Sequence, residues 1–322
     1  MPYPGGLGMA AFMPFSIDVV GGRSVVRWVK RADATATPPS FSQMMRERVS
    51  SGAPQRVTPL DALLTAQGPD PVGLVFHLSR CGSTLLMQAL TYAGCIAPIS
   101  EATPVNQLLA RDDLPERERA YLLRGLIRAL GSQEGPSSGL PSLVKLTSWN
   151  VLFLDIIRAA FPGVPWLFLY REPLEVIASH ERRPARWVTD DRFFAALRRA
   201  RRLPSLAALE WEERCAVALA AYGQAALDAS PAPINLLNYD QLPAALAADV
   251  PGRFGVPAPQ DGEIADASRV YSKDAFRRLV FDPDKEQRER RITDMQREAD
   301  LQHSRPVYAA LERRRTGAAG HA

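Results

Sequence analysis

Gly73-Leu74-Val75-Phe76-His77-Leu78 runs directly into Ser79-Arg80-Cys81-Gly82-Ser83-Thr84, and that turn opens Leu85-Leu86-Met87-Gln88-Ala89-Leu90-Thr91-Tyr92-Ala93-Gly94. The first segment is a short apolar run without polar alternation, the pattern of a strand buried on both faces. In the third, Leu85, Leu86, Ala89, Leu90 and Ala93 recur at helical spacing, and Gly94 supplies a C-terminal stop. The reading is strand, tight turn, helix.

The same texture repeats downstream. Residues 143–146 read as a strand and residues 151–161 as a helix ended by Pro162. Trp166-Leu167-Phe168-Leu169-Tyr170 is another strand, with Pro173 placed where a first helical residue tolerates a missing N–H. Residues 234–239 form a further strand, followed by a helix from about Pro243. Buried strands alternating with helical segments predict an α/β fold around a central parallel sheet. The chain divides into an irregular N-terminal segment over residues 1–70, an α/β domain over 71–260, and a C-terminal loop with a charged helical extension over 261–322. Within the first, Val25, Val26 and Trp28 read as a short strand. Within the last, residues 284–315 read as a largely solvated helix dense in Arg and Glu. The insertions at 110–141 and 181–213 are expected to line or cover a substrate site.

Composition narrows the function without naming it. The 322 residues carry 39 Lys+Arg against 35 Asp+Glu, a formal charge of +4. So small an excess over this length suits a local anion pocket and speaks against a generic nucleic-acid partner. No apolar run approaches the roughly 18 residues of a membrane helix, and the N-terminus has no basic region followed by an apolar stretch. The three cysteines, Cys81, Cys95 and Cys215, are odd in number and lack CxxC spacing, so neither a disulfide framework nor a zinc knuckle is expected. A reducing cytoplasm fits.

The chemistry concentrates in the turn. A loop between a buried strand and a helix, with Gly inside it and Ser-Thr opening the helix, presents free backbone N–H groups and the positive end of the helix dipole to an anion. Against the pattern G-x-x-x-x-G-K-[ST], His77 replaces the first Gly and Ser83 the Lys; Gly82 and Thr84 fit. A standard ATPase or GTPase is therefore disfavoured. A strand built to hold Mg²⁺ would end in Asp, whereas the strand ending at Tyr170 delivers Arg171, with Ser179 eight residues later. Arg and a Ser hydroxyl make an anion clamp, with no metal expected.

At this point the residues resemble the PAPS-dependent sulfotransferases. The family's 5′-phosphosulfate loop is similar to Ser79-Arg80-Cys81-Gly82-Ser83-Thr84-Leu85. Its 3′-phosphate motif, Arg-x₇-Ser at a strand-to-helix junction, resembles the segment from Arg171 to Ser179. Asn238-Tyr239-Asp240-Gln241-Leu242 resembles its Tyr-x-x-Leu element. The resemblance implies a three-layer α/β/α sandwich of the P-loop NTPase kind and transfer of a sulfuryl group from PAPS to a hydroxyl or amine. The acceptor would be a small molecule, carbohydrate, lipid or peptide.

Carried over, the loop's N–H groups at Cys81, Gly82, Ser83 and Thr84, with the two hydroxyls, hold the 5′-phosphate. Arg80 and Lys145 neutralise the leaving oxygen and the sulfuryl group. Arg171 and Ser179 grip the 3′-phosphate. Where the cytosolic small-molecule branch has a catalytic His two residues after the equivalent of Lys145, this chain has Thr147, so the base falls to Glu101, as in branches that use a Glu after the first helix. Partial desolvation would raise the pKa of that carboxylate toward working pH. Ser272 and Lys273 stand where a basic C-terminal loop closes over the nucleotide, although the family's Lys-Gly form is not matched. His77 and His180 flank the motifs and read as structural residues, and Cys81 as a small loop residue open to oxidation. Runs 288–291 and 313–315 read as solvated helix faces. Two other readings stay open: a small-molecule kinase with a degenerate P-loop, and a non-catalytic nucleotide-binding scaffold.

Overall fold

The computed structural model describes residues 9–31, 41–132, 139–182, 184–185, 209–230, 235–247, 249–260, 262–263 and 292–317. Its centre is a five-stranded sheet of β4 (Gly73–His77), β5 (Ala97–Ser100), β6 (Ser142–Lys145), β7 (Trp166–Tyr170) and β8 (Leu236–Asn238), in the order β5-β6-β4-β7-β8. Every pairing is parallel. Each residue of β4, β6, β7 and β8 is buried, as the unbroken apolar runs require of strands covered on both faces. Helices flank the sheet, among them α2 (Ser83–Tyr92), α3 (Thr103–Leu109), α4 (Glu116–Gly131), α5 (Leu154–Ala160), α6 (Pro173–Arg182) and α7 (Trp211–Ala229). The expected α/β fold with a central parallel sheet is thus the fold observed.

Parallelism puts all five carboxyl ends on one edge of the sheet, and strand order adds a second effect. The crossovers after β4 run to one side of it and the crossover after β6 runs to the other, so β4 lies at a topological switch point, where open α/β sheets form their ligand crevices. The residues leaving that edge are Leu78, Glu101, Leu146, Arg171 and Tyr239.

The N-terminal reading needs correction. Instead of an irregular segment, β1 (Phe12–Val20), β2 (Arg23–Lys30) and β3 (Gln55–Pro59) form a three-stranded antiparallel sheet, with α1 (Phe41–Ser50) between the last two strands. Gly21 and Gly22, both at positive φ, make the two-residue turn of the first hairpin. A bulge between Pro14 and Ser16 shifts the inside-outside alternation of β1, which is why its period of two is hard to read in sequence. Gln107 of α3 fastens that bulge: its Oε1 accepts from Ile17 N at 2.8 Å. Phe12, Ile17, Trp28 and Val29 belong to the same core cluster as Leu123, Leu126 and Ile127 of α4. The α4 helix therefore joins the two sheets, and the 110–141 insertion is in large part core. At Gly125 it meets the turn Leu60–Thr65 so closely that a Cβ would stand 1.8 Å from Leu63 O.

Two further corrections concern helices. Residues 148–153 form a 3₁₀ turn before α5, so the helix read as 151–161 is shorter and begins tighter. The C-terminal extension packs on the domain along one face and leaves the other, Arg313 and Arg314 included, exposed: α8 (Leu242–Ala247) and α9 (Asp249–Phe254) are followed by α10 (Asp294–Ala299), a π turn (Asp300–Ser304) and α11 (Arg305–Thr316). Asp300, Ser304 and Leu311 are buried, Arg314 donates to Ser230 O, and Arg315 pairs with Glu312 at 2.6 Å. Residues 186–208, 264–291 and the run 288–291 lie outside the described residues, and Ser272 and Lys273 with them. None of the described helices is long and apolar enough to cross a membrane.

Candidate anion-binding site

The loop after β4 is tied to the sheet beneath it. Leu78 N donates to Leu169 O at 2.9 Å, and the Cys81 thiol donates to Leu78 O at 2.6 Å and Leu169 O at 3.2 Å. Above this anchor the backbone turns through Arg80 at φ 60° and Gly82 at φ 85°. Gly82 is required twice over. Its conformation is left-handed, and a Cβ there would lie 2.5 Å from Leu242 Cδ1 and 2.8 Å from the Tyr239 ring. α2 starts at once with Ser83, which is buried, and its N-cap residue, Gly82, has no side chain with which to cap the first turn. The orphan N–H groups and the dipole of α2 thus face the carboxyl edge, the arrangement that receives phosphate.

Beside the loop, Lys145 ends β6 with its side chain only 5% exposed. Its Nζ donates to Thr84 Oγ1 at 3.0 Å and pairs with Glu101 Oε1 at 2.8 Å. Glu101 is placed by the sheet itself: Ser100 pairs with Lys145 across β5 and β6, and Glu101 N donates to Lys145 O at 2.8 Å. Its φ is 50°. Among the described residues, Arg80 and Glu101 are the non-glycine residues at positive φ, and both sit here. Such strain costs on the order of 1–3 kcal/mol at each position and gathers at functional sites.

The electrostatics correct the expectation for Glu101. Burial pushes its carboxyl upward, but the Lys145 ammonium and the neighbouring His77 more than offset this, and the group is held well below the usual carboxylate range. It is an ion-paired carboxylate rather than one raised toward neutrality. His77, read as structural, belongs to the same cluster. Its Nδ1 lies 2.8 Å from Leu78 O and its Nε2 3.6 Å from Glu101 Oε1. Cys81 is also corrected. Burial pushes its thiol up to about 12, and it is fully enclosed, so it is neither a nucleophile nor exposed to oxidants.

Arg171 leaves β7 with its side chain 12% exposed, paired with Glu175 on the first turn of α6 and with its guanidinium 4.2 Å from the centre of the Tyr239 ring. Tyr239 therefore touches both the loop glycine and the arginine. Ser179 is half-buried on α6, about two helical turns beyond Arg171. His180, two turns along the same helix and buried, accepts from Ala185 N through Nδ1 at 3.3 Å. The structure thus brings Arg80, Cys81, Gly82, Ser83, Thr84, Lys145 and Glu101 to one edge and joins Arg171 to them through Tyr239. Sequence reasoning passed over Tyr239 and His77 as site residues. The Tyr-x-x-Leu element carried a signal for the first; the second stands beside the loop, at the end of β4, and its place next to Glu101 depends on the fold.

No family model and no curated protein matches the chain. Among solved structures it is similar to a sulfotransferase domain from the curacin biosynthetic pathway, with 12% identity and a TM-score of 0.45, over 76% of this chain and 99% of that one.

Proposed function

We propose that this chain is a sulfotransferase that takes a sulfuryl group from PAPS and passes it to a hydroxyl or amine acceptor. The observation that carries the reading is the Tyr239 ring, which packs on Gly82 of the anion loop and on the Arg171 guanidinium. Two groups able to bind anions, the backbone N–H groups at a helix start and a half-buried arginine, are thereby joined through one ring, which supports a nucleotide with phosphates at separate positions. Arg171 directly after β7, where a P-loop kinase carries the carboxylate that holds Mg²⁺, favours the same reading.

In this reading the N–H groups at Cys81, Gly82, Ser83 and Thr84 bind the 5′-phosphate, and Arg171 with Ser179 binds the 3′-phosphate. Arg80 and Lys145 stabilise charge on the bridging oxygen as its bond to sulfur breaks. The bond to sulfur forms from the acceptor oxygen or nitrogen, whose proton passes to Glu101. Lys145 links the two events. When its ammonium turns toward the bridging oxygen, it releases Glu101, and loss of that neighbouring charge raises the affinity of the carboxylate for a proton.

Calorimetry with adenosine 3′,5′-bisphosphate tests the proposal. Binding that needs no Mg²⁺ and falls by about 100-fold in Arg171→Ala is expected for a charge-assisted contact. Binding of ATP that depends on Mg²⁺ would overturn it in favour of a kinase.

A further inference from the structure

Arg171 and Tyr239 hold each other, and the residues next to them in the chain are held from elsewhere. Tyr170, fully buried, donates its hydroxyl to Glu312 Oε1 at 2.5 Å. Glu172, on the other side of Arg171, accepts from Arg305 Nη1 at 2.8 Å, and Arg305 is itself anchored on buried Asp300. Asn238, immediately before Tyr239, donates to the same Glu312 Oε1 at 2.9 Å and to Tyr308 Oη at 3.1 Å. Arg315 completes the carboxylate's partners on Oε2 at 2.6 Å. One short C-terminal stretch therefore grips both neighbours of the arginine and the neighbour of the aromatic ring.

We propose that the C-terminal helices, residues 294–316, are a brace that sets the Arg171–Tyr239 pair, and that Glu312 is a positioning residue for recognition of the second, ribose-linked phosphate. The identity of that anion rests on the function proposed above; the brace itself rests on these contacts. The physical case is one of geometry. A guanidinium reads a phosphate through directed N–H groups, so an error of about 1 Å in its placement loses much of the contact. β7 and β8 are short, and among the described residues β8 has no neighbour on its outer side in the sheet, so the backbone at Tyr170 and Asn238 needs a fixed point beyond the sheet. Glu312 supplies one point for both strands. Its carboxylate stays ionised: burial raises it, but Arg315, Tyr170 and Asn238 together hold it below the ordinary value. Burial and the same carboxylate keep the Tyr170 hydroxyl protonated as the donor.

The test is the ratio of affinities for adenosine 3′,5′-bisphosphate and adenosine 5′-monophosphate, measured by calorimetry on the full chain. A merely structural role lowers both affinities together or only the melting temperature; a positioning role lowers the ratio. In Glu312→Ala the ratio is expected to fall about tenfold while the monophosphate affinity stays within about threefold. Tyr170→Phe deletes a single O–H from an otherwise unchanged ring, and is expected to lower the ratio severalfold should the alanine variant fail to fold. A folded Tyr170→Phe or Glu312→Ala protein with the parent ratio overturns the brace. If instead the parent shows no preference for the bisphosphate, or Arg171→Ala leaves the preference intact, the reading of Arg171 falls first and the brace loses its role in recognition with it.

Discussion

Lys145 Nζ and Glu101 Oε1 stand 2.8 Å apart at the carboxyl edge of the sheet, on neighbouring strands whose backbones are hydrogen-bonded at those same residues. The pair is therefore set by sheet register and not by chance rotamers. It couples Thr84, at the start of α2, to Glu101 through one ammonium. It also makes Glu101 ionised and well held before any ligand arrives.

That pair predicts an acid dependence of stability. A carboxyl whose folded pKa lies below its unfolded value, about 4.3 for Glu, contributes stability that is complete above that value and is lost as pH falls through the depressed folded one. The stability gap between the parent and Glu101→Gln is therefore expected to be flat near neutrality and to shrink as pH drops below about 4. Urea unfolding across that range measures it. In Lys145→Met the ammonium that lowers the Glu101 carboxyl goes, so carbon NMR of that carboxyl should show a pKa raised above the parent's. A gap that does not change with acid would mean that the ion pair contributes nothing to the folded state.

Gly82 gives the sharpest steric prediction. Alanine there must adopt φ 85° and place its Cβ against Leu242 and Tyr239. The conformational cost alone is about 1–2 kcal/mol, and the contact pushes Tyr239 off the loop. Gly82→Ala is expected to lower the melting temperature and to abolish bisphosphate binding together. Full binding in a folded Gly82→Ala protein would show that the Tyr239 contact is not needed.

The thiols offer a cheap check on the site's packing. Cys81, Cys95 and Cys215 are all buried, and burial raises each thiol, Cys81 to about 12. At pH 8 a group with that pKa is thiolate in only about one molecule in ten thousand. Ellman's reagent is expected to find no fast-reacting thiol in the native protein and three after denaturation. A fast native thiol that maps to Cys81 would mean that the loop opens away from Leu169.

How far all this was legible in sequence follows from the range of the interactions. Apolar runs such as 166–170 declare themselves because a strand covered on both faces needs no polar partner, and the turn at 79–84 because its neighbours are so regular. Arg171 and Lys145 stood out as charges at strand ends. β1 did not, because one bulge shifts its alternation and its hydrogen-bond partner, Gln107, is 90 residues away. Glu312 and Arg305 could not be found at all. Their runs of Arg and Glu look like any solvated helix, and only the fold shows that Tyr170, Glu172 and Asn238 lie within reach. The sign of the Glu101 shift was missed for a related reason: desolvation is a property of one residue, whereas the Lys145 contact depends on which strand lies next to β5.

Strain at Arg80 is open to a test that cancels its side chain's own contacts. Arg80→Ala and Arg80→Gly both remove everything beyond Cβ, and they differ in the tolerance of φ 60°. Glycine reaches that region freely, whereas alanine keeps the penalty of a left-handed backbone, about 1 kcal/mol or somewhat more. The glycine variant also has more freedom to lose on folding, which offsets part of that gain. Where the loop is fixed by the Cys81 thiol and the Leu78 amide, the backbone cannot relax to spare the alanine, so the glycine variant is expected to be the more stable of the two by about 0.5–1 kcal/mol. Both should lose turnover to the same extent if the guanidinium serves the leaving oxygen. Equal stabilities would mean that the loop rearranges when Arg80 is shortened, and that the positive φ is imposed by the arginine itself and not by the turn.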